Sequence, residues 1–459
     1  MSDLLTDGPA ARAEATKGRP YMIVSADDHA GPRPSTYLRA YCPAEYLEQF
    51  DAVCKEQDAL AKKHDDEVAA ARERIAAGKG TVSDLSLDQL GKTRECAGHY
   101  DVNVRLRDMD ADGIAAQVIL AGGQNDTDLP WVGFGWNAGP KKDRHLREVS
   151  YRIWNHWLSD YITPAPERLL GVMQIPIWDV EAAIRELYWG AERGLHVVNL
   201  HAPREDYEPY TNLCYDPFWA ACEEVGATLV THAGASAPYA RNTRGMNLLY
   251  LSEFHWYGNR GLTQLILGGV FERFPGLKLV MTEQRVDFAP GMIRHLDSLY
   301  HNRKVQEAPA DVGGIISPEW PSTIYAEDNA DPIETLRAPS EYWKENCFLS
   351  GSFLAPFEVK LRHEIGLGNL FWGADYPHCE GTWPDTRAAL RNTFWSVPEN
   401  ETRQILGENA VAVYHADWRK LRAVADRIGP RPDDLAVPVD PSELPAGRSW
   451  AFREEANFS

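Results

Sequence analysis

Eight short apolar runs, each separated from the next by a helical stretch, constrain this chain most strongly. They are YMIVSAD (21–27), GIAAQVIL (113–120), LLGVMQIPI (169–177), GLHVVNLH (194–201), ATLVTHAG (227–234), LKLVMTE (277–283), NCFLSG (346–351) and LFWGADYPH (370–378). Helices are predicted around 104–111, 143–160, 180–193, 216–226, 261–275, 288–300 and 355–366. Strands that alternate with helices pair in parallel through right-handed crossovers. Eight such units favour a closed barrel over an open sheet. The prediction is therefore an α/β fold, a (β/α)8 TIM barrel.

The flanks divide from this pattern. Residues 1–20 read as an N-terminal arm, 21–428 as the barrel and 429–459 as a tail rich in proline (Pro430, Pro432, Pro438, Pro441, Pro445). The tail is predicted to be extended, wrapping the body or a neighbouring subunit. A helical insertion over about 45–100 follows strand one. Its stretch DALAKKHDDEVAAARERIAAGKG reads as an exposed helix that stops at glycine. Its charges form a solvated face, with a lid or a subunit contact as the alternative.

Charge narrows the partners. Lys and Arg total 47 against 67 Asp and Glu, a formal charge of −20. Phosphate backbones and anionic lipids both need clustered cations, so neither nucleic acid nor a membrane surface is expected. The first twenty residues are polar, and no run is apolar for long enough to span a bilayer. The cytoplasm is the default location. Seven scattered cysteines without a CxxC pair argue against a disulfide framework or a cysteine zinc site. The partner is then a small molecule. A homo-oligomer is expected, with a hetero-oligomer left open.

Barrel enzymes place their chemistry at the C-terminal ends of the strands. Strand one ends in Asp27-Asp28-His29, strand four in His201, strand five in Thr231-His232, strand six in Glu283 and strand eight in Asp375, with His378 beyond. Alternate residues of a strand share a face, so Asp27 and His29 point the same way. Imidazole nitrogen and carboxylate oxygen are ligands for Zn, Mn or Fe. A lone histidine such as His232 is more often a hydrogen-bonded core residue, but five strands ending this way point to a metal. Arg285 is either a contact for a substrate carboxylate or a partner for one of the many acids. His378 is a substrate contact, an orienting partner of Asp375 or a loop histidine bonded to backbone. His255 and Trp256 follow strand five. Trp131 and Trp136, in PWVGFGW (130–136), offer an apolar wall for a bulky substrate. No GxSxG elbow marks a serine hydrolase, and Gly268-Gly269 is no nucleotide loop.

GGVFERFPGLKLVMTEQ (268–284), APSEYWKENCFLSG (338–351) and WGADYPHCEGTWPDT (372–386) carry a resemblance that extends from VSADDH to ILGENAVAVYH (405–415). The chain resembles the amidohydrolase superfamily, in the branch with aminocarboxymuconate-semialdehyde decarboxylase-like metal-dependent hydrolases. In that family a His-x-His pair on strand one binds metal with a histidine on strand five and an aspartate on strand eight. The resemblance implies Asp27, His29, His232 and Asp375 here, with Asp27 in place of a histidine. Glu283 stands where decarboxylase-like relatives often have another histidine. It is read as a general base, or as a ligand of a second ion together with His201. One or two divalent ions are therefore expected, Zn first, with Mn or Fe favoured by the added oxygen ligand. The leading reading is a hydrolase in which Asp375 or Glu283 takes a proton from water. The alternatives are a decarboxylase of an aromatic or unsaturated acid, a dinuclear-metal oxygenase and a non-catalytic subunit of a complex.

Overall fold

The computed structural model describes residues 15–132, 143–203, 207–232, 249, 259–306, 337–444 and 450–453. Eight strands form where the apolar runs lie: β1 (Ile23–Ala30), β2 (Ile114–Ala121), β3 (Leu169–Met173), β4 (Val197–Asn199), β5 (Thr228–His232), β6 (Lys278–Thr282), β7 (Cys347–Ser352) and β8 (Leu370–Gly373). They pair in parallel and in chain order. The barrel closes where β8 returns to β1. There the Asp375 N–H donates to the Asp27 carbonyl at 2.7 Å, and the His29 N–H donates to the Tyr376 carbonyl at 2.6 Å.

Local chemistry sets the helix–strand rhythm. Asp101 accepts from the N–H groups of Asn103 and Val104, which starts the helix Val102–Asp112. Gly113, at φ +80°, ends that helix and β2 begins at the next residue. Gly226, at φ +66°, makes the same left-handed turn between the helix Asp216–Glu224 and β5.

Strand alternation separates two apolar layers. Val24, Val118, Val172, Val230, Val280 and Phe371 share one cluster inside the barrel. Their chain neighbours Ile23, Ile119, Leu229, Leu279 and Leu370 join the larger cluster under the helices. Along β1 the register advances three residues, Ser25 to Asp28, against two on β2, Gln117 to Ile119. The extra residue is a bulge. It lets Val24 face inward low in the barrel while Asp27 and His29 face inward at its mouth.

Two further helices, α1 (Leu47–Ala76) and α2 (Val82–Glu95), precede the helix Val102–Asp112 between β1 and β2. The Thr81–Asp84 capping box starts α2. Arg72 pairs with Asp88, and Arg74 with Asp84, tying the two helices together. The helix predicted over 355–366 is two short ones, Pro356–Val359 and Arg362–Ile365. The C-terminal segment is not wholly extended: it forms short helical turns at Pro432–Leu435, Pro441–Glu443 and Trp450–Phe452. Ala451 and Phe452 are buried against Phe353 and Ala389, and the Ala451 N–H donates to the Glu380 carbonyl at 3.1 Å. Among the described residues no helix is long and apolar enough to cross a membrane.

The base of the barrel is packed backbone to backbone. A Cβ on Gly407 would sit 1.9 Å from the Met22 carbonyl oxygen. Gly407→Ala is therefore expected to lower stability by about 3 kcal/mol or more, the upper range for overpacking, because neither backbone can retreat. A thermal melt checks it, and an unchanged Tm would contradict it.

Candidate metal centre

Asp27, His29, His232 and Asp375 meet at the mouth of the barrel. His29 Nε2 lies 3.4 Å from Asp27 Oδ1 and 3.3 Å from Asp375 Oδ1. His232 Nε2 lies 3.7 Å from Asp27 Oδ1 and 3.3 Å from His29 Nε2. The second nitrogen of each ring is turned outward. His29 Nδ1 approaches the Ala121 carbonyl at 3.4 Å, and His232 Nδ1 approaches Glu283 Oε2 at 3.4 Å. Protons on the two Nδ1 atoms direct both Nε2 lone pairs to the same point as the carboxylates.

This donor set fits a divalent cation. Asp27 Oδ1 and both Asp375 oxygens are buried without a hydrogen-bond partner, an arrangement that costs free energy for the protein by itself. Burial, joined by the charges of Asp27 and Glu380, pushes the Asp375 carboxyl well above the usual carboxylate range. Burial also acts to raise Asp27, but the neighbouring His232 and His29 outweigh it and hold Asp27 below that range. Burial, then His378, pushes His29 down to about 3, so its imidazole is neutral and able to ligate at neutral pH. A cation at this point would favour the ionised carboxylates.

Backbone strain accompanies the site. Glu283 and Asp375 both sit in the left-handed region, at φ +53° and +59°. For a residue other than glycine this costs on the order of 1–3 kcal/mol, and such strain clusters where a side chain must be aimed.

The surrounding side chains fix these groups. The Ser352 hydroxyl, at the end of β7, donates to Asp27 Oδ2 and leaves Oδ1 to the centre. Ser352→Ala is expected to weaken metal binding about 10–100-fold, the usual cost of removing an orienting partner; titration of metal-free protein measures it, and unchanged affinity would contradict it. Asp28 faces away and accepts the Tyr376 N–H at 3.0 Å. The fully buried Arg105 guanidinium donates to the His29 carbonyl and lies 4.8 Å over the Tyr376 ring. His378 stacks on His29 with centroids 4.1 Å apart, and its Nδ1 is 2.9 Å from Asp375 Oδ1.

Other candidates fall elsewhere. His201 joins none of the ligand clusters among the described residues. It packs near Tyr151 and Trp178 instead. Pairing His201 with Glu283 around a second ion is therefore corrected: the carboxylates beside Glu283 are Asp375 and Glu380. Arg285 is engaged by Asp287, at 3.1 Å from its Nε, so the salt-bridge alternative holds. Trp131 packs against Tyr46 and Phe50 of the inserted segment. His255, Trp256 and Trp136 lie outside the described residues.

Two site groups escaped the sequence reading. Ser352 lies one residue beyond the run assigned to strand seven. Glu380 lies two residues past His378, in a loop with no strand-end signal. A small cavity of about 50 Å³ adjoins β1–β3 and is lined by Ala30, Leu129, Val132 and Tyr151 among others. The larger cavity, about 520 Å³, lies under α1 and α2 and includes none of the clustered ligands.

Residues 135–416, more than half of the chain, match the amidohydrolase family. The chain belongs to that family. Among solved structures it is similar to an amidohydrolase from Mycobacterium avium subsp. paratuberculosis K-10, with a TM-score of 0.58 and 16% identity over 86% of this chain and 99% of that one. It is also similar to 5-carboxyvanillate decarboxylase from Sphingomonas paucimobilis, with a TM-score of 0.54 and 17% identity over 86% and 99% of the two chains. The 5-carboxyvanillate decarboxylase of Novosphingobium aromaticivorans DSM 12444, with bound manganese and 3-methoxy-4-hydroxy-5-nitrobenzoic acid, gives a TM-score of 0.55 and 16% identity over 86% and 97%. At these identities the shared property is the barrel.

Proposed function

We propose that this chain is a metal-dependent hydrolase of a small organic substrate, with Asp27, His29, His232 and Asp375 holding the ion. The observation that carries the reading is the convergence of two imidazole Nε2 atoms and two carboxylates beside a further carboxyl, Glu283. When bound, a divalent ion supplies acidified water and polarises a carbonyl. Glu283 accepts the proton of the attacking water, and its contact with His232 Nδ1 keeps that ring oriented. Asp27, fixed by Ser352, supplies an oxygen ligand. Nitrogen and oxygen donors in this proportion suit Zn, Mn or Fe, and the neighbouring acids add weight to Mn.

A second reading, non-oxidative decarboxylation of an aromatic acid, draws on the fold shared with the two 5-carboxyvanillate decarboxylases. Turnover in ¹⁸O-labelled water on a panel of esters, amides, lactones and aromatic acids separates the two. Hydrolysis places ¹⁸O in the product. Release of carbon dioxide with no ¹⁸O incorporated would replace the hydrolase by the lyase.

A further inference from the structure

The cavity of about 520 Å³ under α1 and α2 lies apart from the metal centre, since none of the clustered ligands lines it. Its volume is that of a small-molecule site. Its floor is made by the loops that leave β1 and β2. There the Asn125 amide and the Thr127 hydroxyl both donate to the Gly31 carbonyl at 3.0 Å. Glycine is needed at position 31, because a Cβ would meet Gly123 Cα at 2.7 Å. The walls come from the inserted helices, and ion pairs fix them: Arg72 is bound by Asp88 and Glu95, and Arg94 by Asp65 and Asp126. Among the described residues Val68 and Ala69 supply the only aliphatic side chains of the lining. A space bounded this way is not a gap in an apolar core; it takes water or a polar ligand.

The lining selects the sign of that ligand. Three arginines, at 33, 72 and 94, line the cavity against the acids Asp65 and Glu95, although the whole chain carries a formal charge of −20. Arg72 and Arg94 are engaged by the ion pairs above. Arg33 differs: among the described residues its guanidinium makes no hydrogen bond, and Asp58 Oδ1 stands 3.8 Å from its Nη1. A guanidinium fork matches a carboxylate through two parallel hydrogen bonds. Tyr37 and Tyr100, which also line the cavity, are stacked with centroids 4.5 Å apart. Their faces and edges suit a flat ring. We propose that this cavity is a binding site for a small ring-bearing carboxylate, with Arg33 holding the carboxylate and the Tyr37–Tyr100 pair packing against the ring. The proposal does not depend on the reading of the metal centre.

Calorimetric titration of metal-free full-length protein with benzoate tests it; without metal, the carboxylate has no ion to bind at the barrel mouth. The parent is expected to bind one benzoate per chain. Benzamide, the same ring without the charge, is expected to bind about tenfold or more weaker. Arg33→Gln, at a side chain 43% exposed, is expected to weaken benzoate by the same factor. Ala69→Trp, at an exposed position of α1, fills the cavity and is expected to abolish binding. Absence of saturable benzoate binding to the parent overturns the proposal. Benzamide binding as tightly as benzoate also overturns it, and that comparison needs no variant. Benzoate binding that neither substitution weakens places the ligand elsewhere and removes the site.

Discussion

Asp375→Asn is expected to lower turnover by about 10³-fold or more and to strip the protein of most of its metal. An ion acting on a carbonyl and on water supplies several kcal/mol of transition-state stabilisation, and each 1.36 kcal/mol is a factor of ten in rate. The substitution removes a carboxylate that faces His29 and His378 and lies in two of the ligand clusters. The same change has the opposite sign for the stability of metal-free protein. Burial and the neighbouring charges raise the Asp375 pKa well above its unfolded value. Such a group costs stability as pH rises above the unfolded carboxylate range, and the cost is absent at low pH. Metal-free Asp375→Asn should therefore melt no lower than the parent at neutral pH. A variant that loses activity only because it unfolds would contradict this account.

Glu283→Gln is expected to lower kcat by about 10²–10⁴-fold, the usual range for a general base, while the metal centre keeps its ion. The amide retains the shape of the side chain and a contact to His232 but accepts no proton. Metal content at that centre, read with Zn²⁺ by titration of metal-free protein, separates this from ligand loss. Loss of the His232-bound ion in Glu283→Gln would make the residue a ligand rather than a base, and unchanged kcat would remove it from the reaction.

Much of the fold could be read from the chain because the barrel repeats one unit. Each apolar run is short, several helices begin at an aspartate (Asp101, Asp143, Asp179) or end at a glycine (Gly113), and eight repetitions leave few alternatives. The strand-end rule singled out Asp27, His29, His232 and Asp375, and the structure brings them together; alternation puts Asp27 and His29 on one face, while Asp375 lies two residues past the end of β8. The rule did not place His201, which packs near Tyr151 and Trp178 instead. Glu380 and Arg285 belong to loops. There the backbone path decides whether an acid reaches the centre or an arginine meets Asp287 first, and local sequence does not encode that path. The bulge in β1 was likewise hidden, although it lets Val24 and Asp27 both face inward. The insertion over 45–100 reads as helical as a whole; the Thr81–Asp84 capping box is the signal that divides it into two helices.

The most direct measurement is an anomalous-scattering difference map from crystals of the protein grown with Mn²⁺. The account predicts a peak bonded to His29 Nε2 and His232 Nε2, at about 2.1–2.2 Å, with Asp27 and Asp375 oxygens completing the set. A map without a peak at that point, or a peak at any site that leaves the two Nε2 atoms unligated, would contradict it.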